Sequence, residues 1–200
     1  MKRLVLATRN EGKIQEVLQL LTGLDIEVVD LNAYPDAPQV PEEGRTFAEN
    51  AREKATAVAR HTKEWVLADD SGLEVDALHG APGVHSARYA GHHGDDEGNI
   101  KKLIGELRDV PGDRRMARFV CALALASPDG KFFTAEGECR GQIGYSAKGI
   151  NGFGYDPVFF MPGFGRMMAE LLPEDKNRVS HRGRALNKIR PFIIENLAKA

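Results

Sequence analysis

The sequence predicts an α/β or α+β fold that is built on a mixed β-sheet. Three short, mostly apolar runs have the character of buried strands: residues 4–7, 26–29 and 65–68. Residues 119–126 are a longer apolar run, and a turn sequence separates them from residues 133–140, which alternate between apolar and polar side chains. A sheet that starts with strand–helix units and ends in a hairpin contains both parallel and antiparallel strands.

The composition is that of a soluble globular protein. The 200 residues are 42% hydrophobic and 28% charged, with a formal net charge of -2, so no global charge points to nucleic acid or to an anionic membrane. We expect one domain over residues 1–200, long enough for two lobes, in a cytoplasmic protein that has no signal peptide and no membrane span. Cys121 and Cys139 are expected to be reduced core thiols.

Two adjacent carboxylates follow the run at 65–68. Asp69 and Asp70 precede Ser71 and Gly72, and acidic groups at the end of a buried strand are costly unless a cation meets them. One interpretation is a Mg²⁺ site, because this ion takes one or two carboxylates and leaves other positions to water and phosphate. The alternative is a turn at the strand end in which these side chains cap backbone amides.

A polar loop follows the first strand and leads into a helix. Ile14 and Val17 begin an apolar stripe at helical spacing, so a helix should start near residues 11–13. A helix N-terminus after a strand can bind an anion, with Lys13 adding a charge and Thr8 and Asn10 adding hydrogen bonds. The alternative is that Asn10 only caps the helix.

A capping box predicts a second helix, because Thr46 and Glu49 have the spacing of its two members. Lys54 lies on the apolar stripe of this helix, where it would either extend to solvent or reach a phosphate or the Asp69–Asp70 pair. Glu42 and Glu43 precede the helix and belong either to a solvated loop or to the same metal site.

Two loops contain residues of chemical interest. Residues 92–97 combine two histidines with acidic side chains, and we interpret them as a mobile surface loop with acidic residues at a helix N-terminus. Residues 149–157 carry glycines and aromatics that suit either the approach of a nucleotide base or a tight turn with core aromatics.

The last third of the chain is basic. Ser180 precedes a helix with a clear apolar stripe, and Lys176, His181 and Arg182 are expected to lie near its N-terminus. This cluster indicates a second site for an anion or a carbonyl group, although a run of charges is commonly just a solvated face.

Six segments together carry a resemblance to a known family: residues 8–13, 42–51, 68–73, 83–89, 152–157 and 180–183. In this order they resemble the inosine triphosphate/xanthosine triphosphate pyrophosphatase family, the Ham1-like proteins, over nearly the whole chain. The resemblance implies an enzyme that cuts dITP, ITP and XTP to the monophosphate and pyrophosphate. It further implies Mg²⁺ as cofactor, a cytosolic homodimer, and two lobes around an elongated mixed sheet with the active site in the cleft.

The resemblance also implies roles for individual residues. Asp70 would be the general base and, with Glu42, a metal ligand, although Glu43 stands where related sequences often carry a neutral residue. Ser71 would bind substrate. The triphosphate loop falls on Thr8, Arg9, Asn10, Glu11, Gly12 and Lys13. The nucleoside contacts fall on Phe153, Gly154, Tyr155, Asp156, Lys176, His181 and Arg182.

Physical chemistry adds two expectations to this assignment. Lys13 and Lys54 would hold the departing pyrophosphate, because phosphoryl transfer depends mainly on positioning and charge neutralisation. Arg182 has donors and no acceptor, so it would suit the 6-keto oxygen of hypoxanthine or xanthine and mismatch the amino group of adenine.

Two rival functions remain at this level. A Maf-like nucleotide pyrophosphatase would share the reaction but prefer other bases, and the motifs at 152–157 and 180–183 argue against it. A nucleotide-sensing or RNA-binding module could use the basic C-terminal third, but the paired acids would repel a phosphate backbone unless a metal ion intervened.

Overall fold

A computed structural model of the chain describes residues 2–198. Within these residues a single seven-stranded sheet has the strand order β2-β1-β3-β4-β5-β6-β7. Its strands are β1 (Lys2–Leu6), β2 (Ile26–Asp30), β3 (Trp65–Val75), β4 (Met116–Ala126), β5 (Phe132–Ile143), β6 (Phe159–Met161) and β7 (Arg166–Met167). The α-helices of the described chain are α1 (Glu11–Leu20), α2 (Phe47–Thr62), α3 (Asp96–Glu106), α4 (Pro173–Val179) and α5 (His181–Leu197).

The strand pairing confirms a mixed sheet and an α/β fold. β1 is parallel to β2, with Leu4 opposite Val28, and parallel to β3, with Leu4 opposite Trp65. β6 is antiparallel to both β5 and β7. The parallel part therefore comes from the first strand–helix units and the antiparallel part from the second half of the chain, as the sequence predicts.

The chain divides into two compact units. The first contains Met1–Asp70, Cys121–Gly137 and Arg182–Ala200, and the second contains Ser71–Val120 and Glu138–His181. The two lobes of the sequence-based expectation correspond to such a division, whereas the cleft and the elongated outline stay predictions.

Each unit has its own hydrophobic core. In the first unit, Leu4 and Leu6 of β1 pack with Ile14 of α1 and with Leu186 and Ile189 of α5, all buried. The helical spacing of apolar side chains in α1 and α5 thus identifies the faces that pack against the strands.

The second core is centred on aromatic side chains. Phe119 of β4 and Phe159 of β6 lie with their ring centroids 4.5 Å apart, and Leu73 of β3 and Leu103 of α3 pack in the same cluster. Tilted aromatic pairs at this separation add to the stabilisation by burial.

The structure corrects one boundary and adds one helix. β3 continues through the acidic pair to Val75, where the sequence suggested a strand that ends at residue 68. Leu73 and Val75 are buried and Glu74 between them is half-buried, and this alternation over residues 73–75 lets the strand continue. Helix α4 was not predicted, because its seven residues carry no apolar stripe that reveals it. None of the helices in the described residues is long and apolar enough to cross a membrane.

Candidate active site

The loop between β1 and α1 is organised by its own side chains. The Thr8 Oγ1 atom accepts a hydrogen bond from the Asn10 N–H at 3.1 Å, and the Asn10 Oδ1 atom accepts one from the Lys13 N–H at 3.0 Å. Asn10 is thus the N-cap of α1, as the alternative interpretation held. Arg9 and Glu11 are exposed and Gly12 is half-buried, and anion binding by this loop stays a prediction.

Lys13 belongs to a row of four alternating charges, of which the other three are buried. The Lys13 Nζ atom is 2.5 Å from Asp69 Oδ1, and the Arg182 Nε atom is 2.8 Å from Asp69 Oδ2. Arg182 also donates through Nη1 to Glu16 Oε2 at 2.5 Å. Negative Glu16, positive Arg182, negative Asp69 and positive Lys13 therefore follow one another, and each charge has an opposite neighbour.

This arrangement keeps Asp69 ionised. Burial by itself would raise the pKa of Asp69, but the charges of Arg182 and Lys13 hold that pKa well below its usual range. The side-chain sulfur of Cys121 lies 3.2 Å from Asp69 Oδ2, and burial raises the pKa of this thiol well above its usual value. Asp69 is therefore a fixed negative charge that orients Lys13 and Arg182.

Asp70 has a different environment from its neighbour. Burial raises the pKa of the Asp70 carboxyl, and the charge of Glu42 adds to this effect while Lys13 opposes it. The Asn50 Nδ2 atom donates to Asp70 Oδ2 at 2.8 Å. A carboxylate whose pKa is raised towards neutrality is better suited to accept a proton than an ordinary one.

Helix α2 places the groups around Asp70. The capping box at its start is present, since the Glu49 N–H donates to Thr46 Oγ1 at 3.2 Å and Glu49 Oε2 accepts from the Thr46 N–H at 3.3 Å. The Gly44 N–H donates to Asn50 Oδ1 at 2.7 Å, and a Cβ at Gly44 would lie 2.6 Å from that oxygen. The loop that carries Glu42 is thereby tied to the same helix that orients Asp70.

Lys54 is directed towards the acidic residues, but its ion pair is with Glu42 and not with the side chains of the Asp69–Asp70 pair that the sequence suggested. Its Nζ atom forms a short ion pair with Glu42 Oε1 and lies 3.5 Å from the main-chain oxygen of Asp69. Glu43 is exposed, whereas Glu42 is half-buried. Of the two glutamates, Glu42 is therefore the one that belongs to this polar cluster. We call it the first cluster, and its members are Lys13, Glu16, Glu42, Asn50, Lys54, Asp69, Asp70 and Arg182.

The carboxylates of Glu42 and Asp70 have the chemistry to hold a divalent cation. No group of three or more His, Cys, Asp and Glu side chains within residues 2–198 is arranged to hold a metal by itself. The negative charge of Glu42 contributes to the raised pKa of Asp70, so a cation between the two carboxylates would reduce their repulsion. Two carboxylates suit Mg²⁺, which takes its remaining oxygens from water and phosphate.

A second cluster lies entirely within the second unit. Asp156 and Lys176 form a buried ion pair, and Asp156 Oδ2 also accepts the Phe153 N–H at 2.9 Å. The Lys176 Nζ atom is 5.0 Å from the centroid of the Phe153 ring. A Cβ at Gly152 would lie 2.0 Å from Asp156 Oδ2, so the loop can close on this pair because residue 152 is glycine.

The other residues expected to bind substrate are also placed. Tyr155 is buried and donates through its hydroxyl to the Ser86 main-chain oxygen at 2.9 Å. His181 is buried, and its ring stacks on Phe119 with the centroids 4.7 Å apart. Ser71 is half-buried in β3. Contact of any of these residues with a base stays a prediction.

Two buried polar residues of the first cluster were not identified from the sequence. Glu16 lies one helical turn after Lys13, and Asn50 lies one turn before Lys54, so both share a helix face with a predicted site residue. Helical spacing from Lys13 and Lys54 was the signal that could have found them. The pairings of Glu16 with Arg182 and of Asn50 with Asp70 join residues that are distant in sequence, so spacing along the chain could not show them.

The fold and these clusters define a class of protein. It is an α/β protein with a polar cluster of carboxylates and lysines near a helix N-terminus, and such a cluster is suited to a phosphorylated ligand. The model of the Ham1 family matches residues 4–192. The chain therefore belongs to the Ham1 family.

Individual relatives agree with this membership. A dITP/XTP pyrophosphatase of Geobacter sulfurreducens is 54% identical over 193 residues, covering 96% of this chain and 97% of the relative. A dITP/XTP pyrophosphatase of Geobacillus kaustophilus is 53% identical over 189 residues, covering 94% of this chain and 93% of the relative. The solved structure of a HAM1 protein from Coxiella burnetii has a TM-score of 0.87 at 40% identity and covers 98% of this chain and 100% of that chain.

Proposed function

We propose that this protein hydrolyses the non-canonical purine nucleoside triphosphates dITP, ITP and XTP to the monophosphate and pyrophosphate, and so removes them from the nucleotide pool. The observation that carries the proposal is the full-length similarity to dITP/XTP pyrophosphatases at more than half identity. The cluster around Asp70 supports it, because it contains the charges that attack on a triphosphate requires.

In the proposed reaction Asp70 is the general base that accepts a proton from the attacking water. Burial raises its pKa, which supports this role, and the hydrogen bond that Asn50 donates orients its carboxylate. Glu42 and Asp70 would hold Mg²⁺, which when bound would neutralise phosphate charge and lower the pKa of a coordinated water. Glu43, which is exposed, is left outside the proposed metal site.

The phosphates would bind at the loop of residues 8–13 and at two lysines. Lys13 and Lys54 would contact the departing pyrophosphate, and Ser71 would contact the substrate beside them. Lys13 is held by Asp69, and Asp69 is shared with Arg182. Lys13 is thus oriented before substrate arrives, which lowers the cost of reorganisation in the transition state.

The base would be recognised by residues of the second cluster together with those that begin α5. Phe153 offers a stacking face, and the buried pair of Asp156 and Lys176 offers an acceptor and a donor. His181 and Arg182 would complete the recognition, with Arg182 facing the 6-keto oxygen as well as holding Asp69. A homodimer and a cytoplasmic location belong to the same proposal.

Pyrophosphate release from dITP, XTP, ITP, ATP and GTP tests the proposal, each measured with Mg²⁺ and with EDTA. We expect rapid, Mg²⁺-dependent release from the first three and little from ATP or GTP. For ATP, kcat/KM should be at least about 100-fold lower, as a polar mismatch at its 6-amino group can give. No release from any nucleotide, combined with salt-sensitive binding of RNA, would replace the proposal with a binding module.

Asp70→Asn is the inactive control for this assay, since asparagine keeps the size of the side chain but cannot act as a base. We expect kcat to fall by at least about 100-fold, as removal of a general base does, while the melting temperature stays close to that of the wild type. An exposed aspartate, Asp25, provides the matched variant Asp25→Asn, which should retain full activity. Near-normal turnover of Asp70→Asn would remove Asp70 from the mechanism.

A further inference from the structure

The loop of residues 152–156 is tied to the rest of the second unit through two successive residues, Gly154 and Tyr155. Within the loop, the Phe153 N–H donates to Asp156 at 2.9 Å, and outside it the Tyr155 hydroxyl donates to the Ser86 main-chain oxygen at 2.9 Å. Between them, the Gly154 N–H donates to Asp96 Oδ2 at 2.7 Å. Gly154 has a φ of 60°, so the loop adopts a turn here that favours glycine.

Asp96 differs from the attachment at Ser86 because it is an exposed side chain from a separate helix. It is the first residue of α3, and the preceding residue, Asp95, is the one that caps the helix by accepting the Gly98 N–H at 2.9 Å. The carboxylate of Asp96 is therefore directed to the loop of residues 152–156, while that of Asp95 serves the helix itself. A hydrogen bond to a charged acceptor is stronger than one between neutral groups.

Helix α3, which carries Asp96, is held in the second unit by a buried asparagine and a buried leucine. The buried Asn99 accepts the Ala90 N–H at 2.7 Å, and Leu103 of the same helix is fully buried in the core of the second unit. Residues 83–90 therefore connect to α3, and they also include Ser86, which receives the Tyr155 hydroxyl. Asp96 and Ser86 therefore lie on two connected segments and bind two consecutive residues of the loop, Gly154 and Tyr155.

We propose that Asp96 is a positioning residue for base recognition, which fixes the Gly154 peptide and thereby the ring of Phe153 beside Lys176. This inference rests on the proposed function, in which that loop contacts the base. The Phe153 ring centroid lies 5.0 Å from the Lys176 Nζ atom, and movement of the Gly154 peptide would change this geometry. Loss of the contact weakens binding of the base and leaves the phosphate chemistry of the first cluster in place.

The test compares Asp96→Ala with Asp95→Ala, which removes an acidic residue from the same helix end but no contact to the loop. For dITP, Asp96→Ala should raise KM about 10-fold, as loss of a charged hydrogen bond does, with kcat within about threefold of the wild type. Asp95→Ala should lower the melting temperature through loss of the cap and leave KM unchanged. Asp96→Asn keeps an acceptor oxygen and should restore most of the affinity.

Two results would overturn the inference. One is a KM for Asp96→Ala that changes no more than that for Asp95→Ala. The other is a Gly154 N–H in the wild type that exchanges with solvent as fast as an amide in an unstructured chain, a measurement that holds even where Asp96→Ala fails to fold. Failure of the proposed function is distinguishable, because in that case the wild type itself would not hydrolyse dITP.

Discussion

Asp69 and Asp70 are neighbours in the chain with pKa values that are shifted in opposite directions. Successive side chains of a strand point to opposite sides, so Asp69 meets Lys13 and Arg182 while Asp70 meets Asn50. The pKa is lowered for Asp69 and raised for Asp70. Two carboxylates in different environments can take different roles, one as a permanent charge and one as a base.

The fixed charge of Asp69 should be visible in protein stability. Asp69→Asn leaves the buried charges of Lys13 and Arg182 without their shared partner, so the free energy of unfolding at pH 7 should fall by about 3 kcal/mol. Because the folded-state pKa of Asp69 lies below that of the unfolded chain, its contribution is present above about pH 4 and is lost as the pH falls through the folded-state value.

Chemical denaturation in EDTA from pH 7 to pH 3 measures this difference. The gap between the wild type and Asp69→Asn should narrow below about pH 4, the usual pKa of an aspartate, while Asp25→Asn, at an exposed position, should follow the wild type throughout. A gap that is constant over the whole range would show that the ionisation of Asp69 does not contribute.

Arg182 offers a second prediction at the same scale. If it reads the 6-keto oxygen of the base, Arg182→Ala should reduce kcat/KM for ITP at least about 10-fold more than for ATP, because the selective hydrogen bond is lost. If its part is confined to holding Asp69 and Glu16, the two nucleotides should be affected equally. Arg184→Ala, at an exposed position on the same helix, is the control, and equal losses for ITP and ATP would contradict base reading by Arg182.

At the scale of secondary structure, the strands and helices with strong local signals were predictable. The capping box at Thr46 set the start of α2, and the alternation of residues 133–140 indicated β5. Helix α4 and the two-residue strand β7 were missed because their positions depend on packing and strand pairing with distant residues. The same limit explains why the contacts of Glu16 and Asp96 were not foreseen.

The N-terminal cap of helix α2 should affect both the stability of the protein and the site residues that the helix carries. Thr46→Ala should lower the free energy of unfolding by about 1 kcal/mol, because the Glu49 N–H loses its acceptor. Asn50 and Lys54 lie on the following turns, so fraying of the first turn should also lower kcat modestly. Thr62→Ala at the other end of α2 removes a hydrogen bond to Val58 and is the matched control. An equal loss of activity in both variants would contradict a specific role for the cap.

At the scale of the whole molecule, the chain contains two compact units and one candidate cluster in each. The first holds the carboxylates and lysines proposed to act on the phosphates, and the second holds the loop proposed to recognise the base. Parallel strands followed by helices create the N-terminus of α1 near residue 10, and the antiparallel strands β5 to β7 belong to the part of the chain that carries residues 152–156. Membership of the Ham1 family and the α/β fold were both predictable from the sequence.

The most direct test of the proposed function is the identity of the products that the wild-type protein forms from dITP in the presence of Mg²⁺. Separation of the nucleotides, together with quantification of phosphate and pyrophosphate, distinguishes cleavage between the α and β phosphates from removal of the terminal phosphate. We predict dIMP and pyrophosphate in equal amounts. Formation of dIDP and inorganic phosphate, or no consumption of dITP, would contradict the account.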